Sequence, residues 1–256
     1  GSSRTLANDV NLTGDVNLGK VDGSGNSLTV NGAMNLGGGN RRITLDNSFT
    51  AGGTLSNGSL EIDGGALQRN FTITGNSSLG AINVLGGNLR LSGAGSLGSS
   101  GSLNLSGSTG ATSLDITGLT GSSTTLGSLA GAANSSVALG AKNLAVGGNN
   151  SSTSYAGSIS GTNGSVTKNG SGKFTLSGSN SYTGATTVAA GNLTVNGSIA
   201  NSATTVQSGA TLGGSGTVGA LEIASGGTLA PGNSPGTLNA SSAIWNGGGT
   251  YAWEIN

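Results

Sequence analysis

The residues that do most enzymatic chemistry are scarce in this chain. There is no His and no Cys in 256 residues, so Ser-His-Asp and Cys-His nucleophile systems and zinc sites built on those ligands are excluded. Acid-base work would fall to carboxylates or Lys. The nine acidic residues leave a long gap between Asp115 and Glu222 and form one modest cluster. Glu61 and Asp63 stand two apart in a strand-like stretch, which predicts that both project from the same outer face. Asp46 would lie one coil away, with Arg41 or Arg42 nearby. Solenoid polysaccharide lyases and hydrolases use outward carboxylates of this kind, usually several acids and bases in a cleft. One small cluster reads better as solvated surface charge. The expectation is that no residue here is catalytic.

Other chemistry is weaker still. Asp22-Gly-Ser-Gly-Asn26 places oxygen ligands at alternate positions, but Ala33 stands where a calcium loop needs its closing acid. It reads as a turn. No Gly-x-Gly string opens a helix, so phosphate loops lack support. No cofactor and no metal is expected. Trp245, Tyr251 and Trp253 read as an aromatic coil in the core rather than as a sugar platform. Nine basic residues balance nine acidic ones, which removes the electrostatic footprint of a nucleic-acid binder. No Lys or Arg follows Lys173, so no polybasic membrane segment is available there. No apolar run approaches a membrane span.

The elements that position these residues follow from composition and period. Gly supplies 52 residues, charged residues only 7% and aromatics only 3%; such a chain cannot clothe the faces of helices. Disorder is the competing reading of so much Gly, Ser and Asn. The placement of apolar residues argues against it. An apolar–polar–apolar unit recurs as Leu28-Thr29-Val30, Leu60-Glu61-Ile62, Phe71-Thr72-Ile73, Leu103-Asn104-Leu105, Phe174-Thr175-Leu176 and Leu193-Thr194-Val195. Strict alternation is a strand signal, and strands near three residues long are too short to stand alone. Gly-rich corners between them predict a stack of parallel coils that share one narrow core. The expected fold is all-β: a right-handed parallel β-helix (β-solenoid) of about ten to twelve coils, a rod of roughly 50–60 Å. Leu28, Ile82, Val137 and Leu193 start strands at near-constant intervals, which fits either a register spanning several coils or coincidence among many candidate strands. Thr-x-Thr ranks at coil spacing, the mark of an ice-binding solenoid, are not discerned.

From Tyr155 onward the pattern is more specific. Lys168, Gly170, Gly172, Leu176, Ser177, Gly178, Asn180, Tyr182, Gly184, Thr186, Val188, Gly191 and Leu193 stand at the spacing Lys-x-Gly-x-Gly, Leu-Ser-Gly, Asn-x-Tyr-x-Gly and Thr-x-Val-x-x-Gly-x-Leu. Phe174 takes a usual Leu place. This resembles the passenger-associated transport repeat, also called the autotransporter-associated β-strand repeat. The segment from Gly227 to Leu238 has the look of the same passengers. The resemblance covers 155–256; residues 1–154 share the general coil pattern, as divergent coils continuous with the rest.

The resemblance implies secretion through the periplasm and an outer-membrane translocator barrel, exposure on the bacterial cell surface, and a repeat that aids secretion and folding. A structural stalk or adhesin scaffold is the expected function, with a glycan-binding adhesin module, or a β-helix polysaccharide lyase or hydrolase, as alternatives. A host or glycan surface ligand is then the expected partner. Tyr182 is expected to pack on a coil rather than stack on a ligand. The opening Gly-Ser-Ser and the strand-like last residues read as cut ends, which predicts end-to-end self-association of the fragment.

Overall fold

A computed structural model describes residues 3–18, 27–232 and 236–252. Within them there is no helix; parallel strands stack as a β-solenoid of about eleven turns. Cross-coil partners fall 17 to 27 residues apart, from Thr204–Leu221 to Val16–Ile43.

The strands form three columns. One carries Leu28–Val30, Phe49–Ala51, Asn70–Ile73, Thr112–Leu119, Ser135–Ala138 and Ser158–Ser160 in parallel register. Its inward file runs Leu28, Phe49, Phe71, Leu89, Leu114, Val137, Ile159. Phe49 and Phe71 pack with ring centroids 5.1 Å apart, tilted 45° to each other. The second column runs from Val16–Leu18 to Thr250–Tyr251. The third begins as a small sheet of Val10–Asn11, Met34–Asn35 and Leu55–Ser56, and resumes as an eight-stranded sheet from Ser123–Leu126 onward.

Alternation explains burial. In Lys173–Leu176, Phe174 and Leu176 are buried while Thr175 is half-exposed. Each coil has too little apolar surface to fold alone, and stacking supplies the missing neighbours. Thr153–Tyr155 pairs with Ser128–Gly131 on one side and Lys173–Leu176 on the other. Tyr155 stands in register with Gly131, where a Cβ would lie 2.7 Å from the ring. The missing side chain makes room for the aromatic one.

Two expectations are corrected. Strands are not uniformly short: Ala81–Gly93 is one strand of 13 residues that rounds a corner at Gly87 (φ 90°) and serves two columns. The near-constant interval has no structural counterpart, because Leu28 and Val137 lie in the first column while Ile82 and Leu193 lie in the second. Threonines do stack in single file, Thr5–Thr29–Thr50–Thr72 and Thr167–Thr187–Thr205, which is not the paired Thr-x-Thr rank of an ice-binding face. They are hard to see in sequence because coil length varies.

Candidate functional site

The predicted carboxylate pair does not form an open acidic surface. Alternation places Glu61 and Asp63 on one side, but the chain turns at Asp63 and folds its carboxylate into a corner, 9% exposed. There it takes hydrogen bonds from Arg42 of the preceding coil, from the Gly65 N–H at 3.1 Å, and from Thr109 Oγ1 at 2.7 Å. Burial raises its pKa, yet those bonds and the Arg42 charge outweigh burial and hold it below the usual carboxylate value. Glu61 stays half-exposed, in register with Arg42 and Asn83. Arg41 turns away, and its Nε donates to the Leu12 carbonyl at 3.1 Å. Asp46 follows Asn40–Leu45 and is exposed. Asp63 is therefore a tie between coils. Asp115 is similar: it accepts from Arg90 at 3.1 Å and from the Thr117 hydroxyl and N–H, and its pKa is also lowered against the effect of burial.

Asp22 to Asn26 and Trp253 lie outside the described residues. Trp245 and Tyr251 are not core, contrary to expectation: they are 41% and 51% exposed, with ring centroids 5.8 Å apart. The strand Asn239–Trp245 is exposed along its whole length because no described coil covers it.

The repeat brings its polar residues inward. On the third column, Val146, Lys168, Val188, Val206 and Ile223 are successive partners in one inward file. A lysine thus occupies an apolar position, 1% exposed. Its Nζ donates to the carbonyls of Asn169 (2.7 Å), Gly170 (2.9 Å) and Ala190 (3.1 Å). Three acceptors match the three donors of an ammonium; burial pulls the pKa below the usual lysine value. The sequence held the signal, since Val166 inward in the alternation Val166-Thr167-Lys168 puts Lys168 inward too.

Asn180 substitutes for a strand. Its Oδ1 accepts the N–H of Ile159 in the coil before, at 2.9 Å, and its Nδ2 donates to Gly178 and to Ser198 in the coil after, at 3.1 and 3.0 Å. One amide thereby joins three coils. Tyr182 is 1% exposed, with its hydroxyl 2.7 Å from Thr186 Oγ1, which lies 2.7 Å from Ser202 Oγ. Ser202 donates to the Gly184 carbonyl at 2.7 Å, so protons run Tyr182 to Thr186 to Ser202 to backbone. Burial pushes the Tyr182 pKa up to about 12.

The glycines of the repeat are places of close approach. A Cβ at Gly178 would lie 1.9 Å from the Gly157 carbonyl oxygen, one at Gly197 2.0 Å from that of Gly178, and one at Gly216 2.1 Å from that of Gly197. Gly170, Gly172, Gly184 and Gly191 each face a carbonyl within 2.5 Å in the same way. Leu176, Val188 and Leu193 are fully buried.

Fold and site together define a parallel β-solenoid whose coils are tied through buried polar groups. Residues 166–195 match the family model described as Passenger-associated-transport-repeat, and the chain carries this autotransporter passenger repeat. The match is narrower than the segment 155–256 over which the resemblance reads. No curated protein and no solved structure matches the chain.

Proposed function

We propose that this chain is a non-catalytic segment of an autotransporter passenger, serving as a structural stalk or adhesin scaffold on the bacterial surface. The supporting observation is the use made of polar side chains in the repeat. Lys168, Asn180, Tyr182 and Thr186 are all turned inward and joined to neighbouring coils, an arrangement that stiffens a rod and offers no reactive group to solvent. In the intact protein a linked translocator barrel is the partner, and the repeat acts as a locking unit for coils that emerge unfolded. The test is to display the chain from a translocator barrel and to compare it with the Lys168→Met/Asn180→Ala variant. Less protease-resistant passenger should reach the surface with the variant. Equal display would refute the locking role.

A glycan-binding reading has one specific observation behind it. Asn70, Asn88, Arg90, Ser113 and Asp115 line a polar groove of about 350 Å³ on the first column. A glycan array decides between the two readings: binding that is lost on Arg90→Ala favours an adhesive module, and no binding favours the stalk. The lyase reading finds little support, because Asp63 is committed to Arg42, Gly65 and Thr109.

A further inference from the structure

The third column is interrupted, and the interruption has the form of a missing strand. Below it, Ser96 bridges Asn76 in parallel, with the Ser77 N–H on the Ser96 carbonyl at 2.8 Å and the Ser96 N–H on the Gly75 carbonyl at 3.2 Å. Above it, Ser123–Leu126 pairs upward with Asn143–Val146 alone, whereas Asn143–Val146 is paired on both edges. The two coils touch at either end of the gap, Thr120 N–H to Gly93 O and Gly127 N–H to Gly101 O, both 2.8 Å. Among the described residues, no backbone hydrogen bond joins 121–126 to the coil beneath. Between them lies a cavity of about 520 Å³, lined by Gly95, Ser96, Gly98, Leu119, Ser123 and Thr125 among others.

Strand alternation fixes which groups face the cavity. The carbonyls of Ser122 and Leu126 accept from the Asn143 and Gly147 N–H groups above, while the Gly127 N–H points down to Gly101. Bonding direction alternates along a parallel strand, so Ser123 and Thr125 aim their N–H and C=O groups into the cavity. Towards the axis, Leu97 and Leu126 are buried at 3% and 0%. No charged side chain lines the space.

We propose that this gap is a strand-addition site for an uncharged extended peptide, whose backbone completes the third column between Ser96 and Ser123–Leu126. Unpaired strand edges template such pairing, with main-chain bonds giving affinity and alternate side chains giving specificity. The guest presents an apolar side chain towards the axis, under the inward-facing Thr124 that lines the cavity, flanked by small polar residues that face outward, as in Thr-Val-Thr. This site is independent of the transport repeat and of the stalk reading.

The probe is the peptide acetyl-Gly-Thr-Val-Thr-Gly-amide, added to the 256-residue chain and followed by amide hydrogen exchange and by titration. In the free protein the Ser123 and Thr125 amides should exchange fast, and saturating peptide should slow both at least about tenfold, the effect of one gained hydrogen bond of about 1.4 kcal/mol. Thr125→Pro removes one cavity-facing N–H and leaves the upward ladder intact, so it should keep the melting temperature and weaken binding about tenfold. A peptide N-methylated at the central valine removes the complementary bond, a guest N–H donated to a cavity-facing carbonyl, without altering the protein, and should bind more weakly. Slow exchange of both amides without peptide would mean that the chain closes its own gap, and would overturn the proposal. So would no binding at millimolar peptide, or binding indifferent to both Thr125→Pro and N-methylation.

Discussion

The ammonium of Lys168 lies 3.1 Å from the carbonyl oxygen of Ala190, one coil further along, while its Cα is in register with Val146 and Val188. A cation in an apolar file is tolerable only because carbonyls converge on it. Lys168→Met keeps the volume and strands those three acceptors. We expect a loss of about 1–3 kcal/mol, the cost of leaving buried polar groups unmade. Lys173→Met, at an exposed site five residues on, should stay within about 0.5 kcal/mol of the parent. Denaturant melts of both check this; a Lys168→Met variant as stable as the parent refutes the clamp.

Alkaline pH should loosen the same coils through Tyr182. Its folded pKa, about 12, lies above the ordinary tyrosine value of 10.0. Between those values the folded state holds a proton that the unfolded state has lost, so stability is full below pH 10 and falls as pH rises towards 12. The full shift corresponds to roughly 2–3 kcal/mol. Tyr155 is raised to about 12 as well and adds to the loss. Lys168 has the opposite sign: its lowered pKa makes the unfolded state the better proton binder below 10.5, so its share of stability rises with pH. Thermal melts from pH 9 to 12 should show a net decline that is shallower in Tyr182→Phe. An identical decline in that variant would place the titration elsewhere.

Inside and outside are tested at one strand. Leu176→Asp puts an unpaired carboxylate into a fully buried position and should unfold its coil and those stacked on it, a loss beyond about 4 kcal/mol. Thr175→Asp, half-exposed between Ser154 and Thr194, should be far milder. Comparable damage in circular dichroism and melts would reverse the assignment. This distinction was legible in the sequence because alternation survives wherever a strand runs straight. It fails at corners. Glu61 and Asp63 share a parity, yet Asp63 begins the turn into Gly64 and Gly65 and is drawn inward by Arg42 and Thr109. Thr109 is 46 residues away, and nothing local in the sequence announces it. Asn180 was legible as a motif residue but not as a stand-in for a strand, since its role depends on Ile159 and Ser198 in two other coils. The gap under Ser123–Leu126 was hidden for the same reason: coil length varies, and a missing partner leaves no mark on the strand that lacks it.

Gly178 offers a steric test. Alanine there would set a Cβ 1.9 Å from the Gly157 carbonyl oxygen, closer than any real contact, and backbone must move. Gly178→Ala should lower the melting temperature by many degrees, at a cost of about 3 kcal/mol or more. Gly14→Ala, with nothing within 4 Å of its Cβ position, should change little. Equal melts for the two variants would mean the coils are further apart at Gly178 than described.

The last prediction concerns the two ends of the 256-residue polypeptide. At one end, Asn239–Trp245 is exposed throughout, with Ile244, Trp245 and Tyr251 at 61%, 41% and 51%. At the other, Leu6, Val10, Leu12 and Leu18 surround an apolar cavity of about 130 Å³. Unpaired terminal coils with apolar surface are templates for another chain. The 256-residue polypeptide should therefore associate end to end as its concentration rises. Ile244→Lys with Ala252→Lys should reduce this by placing charge on the exposed terminal strand. The effect should persist in moderate salt, because backbone pairing and apolar burial drive it and screening touches neither strongly. Light scattering over a concentration series reads the outcome. A strictly monomeric rod at high concentration, or association abolished by salt alone, would show that strand pairing at the ends is not the cause.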